Sequence, residues 1–539
     1  MNDLTIPALL AAAAADHPAR AVLVVDEQVT TYAELDAQSA SFARRLMAAG
    51  IGKGSRVGIM LPNDATFLFS WLGAARIGAV AVTLPSLAKP AEIARIVAHA
   101  DLQLLVAPRR YLHHDYAARL AEALPALAGL APPYHMSELP WLRAVWLWCE
   151  PEDDCPDWAR PVDPRPPADI SAELLTAAEA RVSPADAAGI IYTSGSTAEP
   201  KGVIHSQASF IRAGRKLAAS FDYGPGERAF ASMPFFWVGG LTTTLFCLMC
   251  AGGTVLASRR TGSELLDFIE AQRTTAVVSW PHILRGLAAD PSFAGRDWSA
   301  MRNGLFYEAL PPERRPADPT LMATPIGMTE TNGPYTIVDR HLTEADRGSL
   351  GRLLPGVEAR LVDADSGETT GQWPSGDPAA DSAGRVGVLQ LRCDTMMLSM
   401  VGRDRSDVFT PEGWYATGDL VEFRRGHLHY HGRADDLIKA HGANVSPREV
   451  EGVIAQFPGV AAVHAVGVPD AQRGTVVGAV IVPEAGCTLD AETIRTEAAK
   501  VLASYKVPRR IVICAASEIP VLPASKIDRR GLAAMLERA

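Results

Sequence analysis

Ile190-Ile-Tyr-Thr193-Ser-Gly-Ser-Thr-Ala-Glu-Pro-Lys201-Gly-Val203 is a strand-like run that breaks into small hydroxylated residues, glycines and a single lysine. Residues of this kind let backbone N–H groups and hydroxyls converge on phosphate oxygens, with Lys201 as a mobile cation. The GxxxxGK(S/T) spacing of a Walker loop is absent. Upstream, Ala21–Asp26 reads as a short strand and Thr31-Tyr-Ala-Glu-Leu35 as a helix start of capping-box type. Arg56–Leu61, Ala65–Ile77 and Ala79–Leu84 read as strand, helix and strand. Such a βαβ unit pairs its strands in parallel, so a doubly wound α/β sheet covered by helices on both faces is expected.

Around this core, 539 residues allow two to four domains at roughly 150 residues each. Hydrophobic residues at 48%, charged residues at 21% and a formal charge of −10 describe an ordinary globular protein and fit neither disorder nor a nucleic-acid footprint. The apolar stretch Leu4–Ala15 has no basic leader and no eighteen-residue apolar run follows, so neither secretion nor membrane spanning is expected and the location reads as cytoplasmic. Seven scattered cysteines make no disulfide framework. Cys247-Leu-Met-Cys250 lies within an apolar run and reads as a buried helix rather than a metal site. Prolines at 151, 156, 161, 164, 166 and 167 mark a surface excursion, and Asp363–Gly384 reads as a second loop. Beyond Gly432 the helix opening at Val445-Ser-Pro, strands at Val460–Val468 and Val476–Val482, and a helix at Ile494–Leu502 form a compact α+β unit. The chain therefore divides into 1–432 and 433–539, with the boundary near Arg433–Asp435.

Four further motifs follow the loop in order: Ile326-Gly-Met-Thr-Glu330, Gly413-Trp-Tyr-Ala-Thr-Gly-Asp419, Gly432-Arg-Ala-Asp-Asp-Leu-Ile-Lys439-Ala-His-Gly442, and Pro520-Val-Leu-Pro-Ala-Ser-Lys526-Ile-Asp-Arg529. With the loop, they resemble the YTSGTTGxPKGV, YGxTE, GWxxTGD, GRxDDxIKxxG and PxTxxGKxxR motifs of the adenylate-forming superfamily of acyl-CoA synthetases, peptide-synthetase adenylation domains and luciferases. The resemblance implies a large N-terminal domain of doubly wound sheets with a barrel-like subdomain, and a small mobile C-terminal α+β domain. It also implies a two-step reaction. A carboxylate and Mg-ATP give acyl-AMP and pyrophosphate, and the thiol of coenzyme A then displaces AMP after the small domain rotates.

Carried over by position, Thr193, Ser194, Gly195, Ser196, Thr197 and Lys201 would cradle phosphates, and Tyr307, Glu308, Ala309, Ile326, Gly327 and Met328 would line the nucleotide. Thr329 would hold the α-phosphate, Glu330 would bind Mg2+ as a hard carboxylate ligand, Asp419 the ribose hydroxyls, and Arg433 ribose and phosphate. Asp435 would be the hinge, Lys526 the adenylation lysine, and Lys439 with Gly442 the loop that serves thioester formation. Trp237, Gly304, Phe306, Tyr307 and Met328 would line the acyl pocket, and Trp237 the thiol tunnel as well.

The sequence departs from the family at Ala198, where glycine is usual, at Ile326, where an aromatic ring stacks on adenine, at Phe306 and Tyr307, where the pattern is GGxxL, and at Ser525, usually glycine. Trp237 stands where a histidine is usual. The reading is an acyl-CoA ligase acting on a hydrophobic carboxylic acid, with these changes tolerated. The alternatives are a half-enzyme that transfers CoA onto an acyl-adenylate made by a separate adenylating partner, an adenylation enzyme loading a carrier protein, a luciferase-like oxidase, and a silent acyl-adenylate-binding protein. CoA is preferred because the Lys439–Gly442 loop and the Phe235–Gly240 motif look like those of free-standing synthetases.

Overall fold

The fold is taken from a computed structural model. It describes residues 2–539 except 164, 194–200, 316–317, 319–320, 322–324, 338–342, 365, 374–380, 383, 435–437, 441–442, 471–473, 503, 505 and 523–525, with backbone alone at 2, 281, 282, 439, 443, 444, 474, 522 and 526. The described chain separates into two compact units, one of residues 1–344, 354–357 and 392–413, the other of 345–353, 358–391 and 414–539.

The first unit holds two sheets. In the larger, Ala187–Thr193, Val80–Thr83, Arg56–Ile59, Leu104–Pro108, Ala144–Trp148 and Arg160–Pro161 lie side by side in parallel, and Lys201–Ser206 and Ser399–Met400 extend it antiparallel at one edge. The expected βαβ unit is present, with the helix Ala65–Arg76 between two of these strands. Every residue of Val80–Thr83 and Leu104–Pro108 is buried, as parallel strands covered on both faces require. The second sheet runs Asn303–Gly304, Ala276–Val278, Arg228–Ala231, Thr254–Ala257 and Ala21–Val25 in parallel, with Gln28–Thr31 antiparallel at its edge.

Local chemistry fixes the helix starts. Thr31 accepts from the Glu34 amide at 3.2 Å while the Glu34 carboxylate accepts from the Thr31 amide at 2.8 Å, a reciprocal cap that opens Tyr32–Ala48. Asp64 caps Ala65–Arg76 by accepting from the Thr66 amide at 2.9 Å. The Cys247/Cys250 pair sits where the π-helix Gly239–Phe246 runs into the α-helix Cys247–Ala251; both thiols are free, and burial pushes that of Cys250 up to about 12. Among the described residues no three His, Cys, Asp or Glu side chains are arranged to hold a metal.

The second unit contains a five-stranded sheet ordered Thr369–Trp373, Val357–Val362, Gly387–Cys393, Tyr415–Arg424 and His427–Arg433. This corrects two expectations. The sheet is open rather than a closed barrel: among the described residues no pairing joins its outer strands Thr369–Trp373 and His427–Arg433, and the latter also meets the 349–351 segment through the Ser349–His429 bridge. Asp363–Gly384 is not purely loop, because Thr369–Trp373 is an edge strand that lays Trp373 on Phe423, ring centroids 4.8 Å apart. Likewise, the proline-rich excursion supplies the edge strand Arg160–Pro161, a position where proline's missing N–H costs nothing, and the short helix Ala172–Glu179.

The chain's end forms a three-stranded sheet of Val460–Asp470, Gly474–Pro483 and Arg510–Ile513. Side chains alternate across it. Val463, Ala465, Val477 and Ala479 pack with Val450, Ile454 and Ile494 on one face. Val466, Val468, Val476 and Val480 pack with Leu532 and Leu536 on the other. Among the described residues no helix is long and apolar enough to cross a membrane.

Candidate active site

In the first unit, residues 194–200 connect two antiparallel strands whose last paired residues are Thr193 and Lys201. Ser194, Gly195, Ser196, Thr197 and the substituted Ala198 lie outside the described residues. The strand Lys201–Ser206 carries His205, whose Nε2 lies 2.8 Å from the Thr329 carbonyl oxygen. That bond places the Thr329–Thr331 turn directly against the strand Lys201–Ser206. Thr329 is buried and Glu330 half-buried, and the Glu330 carbonyl accepts from the Met397 amide at 2.9 Å. Ahead of the turn, Gly327–Met328 pairs with Gly333–Pro334, and a Cβ at Gly327 would lie 2.7 Å from the Pro334 backbone. Ile326 is half-buried, its amide bonded to Thr336 Oγ1 at 2.9 Å.

Three parallel strands end at Ala231, Val278 and Gly304, and Ser232 and Ser279 are the next residues after the first two. Ser232 and Ser279 join hydroxyl to hydroxyl at 2.6 Å, tying two strand ends together. Gly304 has φ +95°, and a Cβ there would overlap the Val277 carbonyl, so the chain can turn off the sheet only with glycine. Phe306 is fully buried and packs tilted against Phe293 and edge-on to Trp298, in the core beneath the strand ends. Its ring thus lies in the core, while Tyr307 is half-buried, Glu308 exposed and Ala309 buried in the following short turn. Trp237 is 42% exposed, two residues ahead of the π-helix Gly239–Phe246. Its loop is pinned by Asn63, which accepts from the Phe235 amide and donates to the Met233 carbonyl, both at 2.8 Å.

In the second unit, Asp419 and Arg433 form an ion pair of 2.8 Å between adjacent strands, and Arg433 also donates to the Thr417 carbonyl at 2.8 Å. Gly418, at φ +76°, leaves room for the guanidinium, which a Cβ would approach to 2.8 Å. Lys439 lies on Ile438–Ala440, paired with Ala443–Val445; Gly442 and the hinge candidate Asp435 are outside the described residues, as is Ser525. Lys526 lies on Lys526–Ile527, paired with Val521–Leu522. The neighbouring core residues separate the two hairpins: Ile438 packs on the Val463/Val477 face of the three-stranded sheet and Ile527 on the Val466/Val480 face.

Sequence reasoning missed His205, Asn332 and the Ser232–Ser279 pair. The available signal for His205 was its spacing from Lys201, four residues along one strand and hence on the same side of it.

Comparisons with known proteins identify the family and the fold. A model described as AMP-binding enzyme matches residues 10–386, and one described as AMP-binding enzyme C-terminal domain matches 449–523. A sulfoacetate–CoA ligase of Cupriavidus necator is 29% identical, covering 97% of this chain and 96% of its own. A long-chain-fatty-acid–CoA ligase, FadD13, of Mycobacterium tuberculosis is 26% identical over 92% of this chain and 91% of its own. Among solved structures, the anthranilate CoA ligase AuaEII in complex with anthranoyl-AMP superposes with a TM-score of 0.74 at 23% identity, covering 99% of this chain and 97% of that one.

Proposed function

The chain belongs to the AMP-binding enzyme family, and from that premise we propose that it is an acid–thiol ligase making the CoA thioester of a carboxylic acid through an acyl-adenylate. The observation that carries the reading is the placement of the Lys439 and Lys526 hairpins on opposite faces of one small sheet. A rigid body cannot turn both faces toward one site together, so two chemical steps can each recruit one face. We place the hinge at Asp435, between proposed domains 1–432 and 433–539, where a few backbone dihedrals would take up the rotation.

The donor set fits the nucleotide and its metal. Thr193, the 194–197 loop and Lys201 offer hydroxyl, amide and ammonium donors for phosphate. Tyr307, Glu308, Ala309, Ile326, Gly327 and Met328 would border the base. Glu330 is a carboxylate suited to Mg2+, which when bound neutralises charge developing on phosphoryl oxygens. Thr329 would donate to the α-phosphate, and Asp419, oriented by Arg433, would accept from ribose hydroxyls. Lys526 would bridge the attacking carboxylate and phosphate as a point charge. Lys439 and Gly442 would border the pantetheine path, which Trp237 flanks.

An apolar acid is favoured by the exposed Trp237 ring, with Gly304, Tyr307 and Met328 lining the rest of the pocket. Phe306 would shape it from beneath through its backbone. Seven free cysteines are in keeping with the cytoplasm. The test supplies Mg-ATP and CoA with aromatic, medium-chain and long-chain acids and with sulfoacetate, following pyrophosphate and thioester. Equal release of both from an apolar acid supports the ligase. Pyrophosphate without thioester would point to carrier loading, and thioester only from a synthetic acyl-adenylate to a half-enzyme that needs an adenylating partner.

A further inference from the structure

His205 lies outside every nucleotide motif, yet its side chain is completely buried. A carbonyl oxygen only accepts, so the 2.8 Å contact to Thr329 makes His205 the donor, through Nε2–H. Burial pushes the ring's pKa down to about 4, and the donor is therefore neutral imidazole. Its Nδ1 faces Ser209 Oγ at 3.4 Å. Ser209 donates to the Thr395 carbonyl at 2.7 Å and accepts from Asn332 Nδ2 at 2.9 Å, and Asn332 Oδ1 accepts from Thr242 Oγ1 at 2.7 Å. Asn332 closes the turn after Glu330 at φ +58°, a left-handed conformation that asparagine tolerates. The Thr329–Asn332 turn is thus held by the strand that begins at Lys201, by the helix Gln207–Ser220 and by the π-helix Gly239–Phe246.

A leucine would fill the same apolar space without a buried polar ring, and a cationic donor would put a competing positive charge beside Glu330. A neutral donor satisfies the Thr329 carbonyl and leaves the Glu330 charge for a metal. Lys201, Val203 and His205 alternate onto one side of their strand, so the strand links the phosphate-loop lysine to the Thr329–Glu330 turn. We infer that His205 is a positioning residue for adenylation: through Nε2–H it fixes the backbone that aims the Thr329 hydroxyl and the Glu330 carboxylate at the phosphate end of the nucleotide. This rests on the ligase reading given above.

The test compares wild type with His205→Leu, which removes the donor, His205→Gln, which restores a neutral N–H donor, and Thr242→Val, which unties Asn332 without changing side-chain shape. Each is measured for melting temperature, for Mg-ATP affinity by calorimetry without acid, for acid-dependent pyrophosphate exchange, and for CoA transfer from synthetic acyl-adenylate. The expected result is about tenfold weaker Mg-ATP binding and at least about tenfold slower exchange in His205→Leu, with CoA transfer, which keeps the α-phosphate contact but needs neither pyrophosphate nor its metal, reduced several-fold less than exchange. His205→Gln should recover most of the loss and Thr242→Val should show the same split more weakly. Unchanged Mg-ATP affinity in folded His205→Leu, equal loss of both half-reactions, or no recovery with Gln overturns the inference. If His205→Leu does not fold, Thr242→Val decides by the same criteria. A wild type that binds Mg-ATP but activates no acid overturns the ligase reading while the affinity comparison still decides His205; a wild type that binds no Mg-ATP overturns both.

Discussion

The burial of His205 links the candidate site to acid stability. Its pKa falls from 6.5 to about 4 on folding because desolvation penalises the imidazolium. Below pH 6.5 the unfolded chain takes up a proton that the native state excludes, so stability declines as pH falls toward 4, by about 3 kcal/mol in all, and is unaffected above 6.5. Urea unfolding at pH 7 and pH 4.5 should show a smaller loss in His205→Gln than in wild type; identical pH dependence would mean the histidine is not excluded from protonation. Gly304→Ala, which forces a Cβ against the Val277 carbonyl at φ +95°, should cost about 2 kcal/mol or more, read as a lowered melting temperature. Thr329, Glu330, Asp419 and Arg433 were legible because each sits in a short ordered motif. His205 and Asn332 were not, because their roles depend on partners more than 80 positions away.

Helix caps and buried segments carry the next expectations. Thr31→Ala removes one half of a reciprocal cap and should destabilise by about 1 kcal/mol in equilibrium unfolding. In the native protein, iodoacetamide should label exposed Cys487 well before Cys247 and Cys250, whose thiols are raised by burial and lie in helix core. Rapid labelling of the pair by mass spectrometry would contradict that packing. The strands of the βαβ unit, the Thr31 cap and the helical placement of the CxxC pair were readable from periodicity and capping residues. The π-helix was not: at Gly240 it passes so close to the Pro234 carbonyl that a Cβ would overlap it, an approach between residues that no periodicity marks. Thr369–Trp373 was hidden by flanking glycines and acidic residues, and it is its antiparallel pairing with Val357–Val362, with Trp373 packed on Phe423, that makes it a strand.

Across the whole molecule, the family match and the parallel sheets were foreshadowed by five motifs in order, whereas the open five-stranded sheet was expected as barrel-like. Motif order carries connectivity; it does not say whether the outer strands of a sheet meet. The two lysine hairpins define the central claim, that one small sheet serves two half-reactions with its two faces. The most direct measurement is to assay Lys526→Ala and Lys439→Ala separately for acid-dependent pyrophosphate exchange and for CoA transfer from synthetic acyl-adenylate. Lys526→Ala should lose exchange by about a hundredfold or more while transfer stays within a few-fold of wild type, and Lys439→Ala should impair transfer more than exchange. Equal loss of both half-reactions in Lys526→Ala would contradict the account.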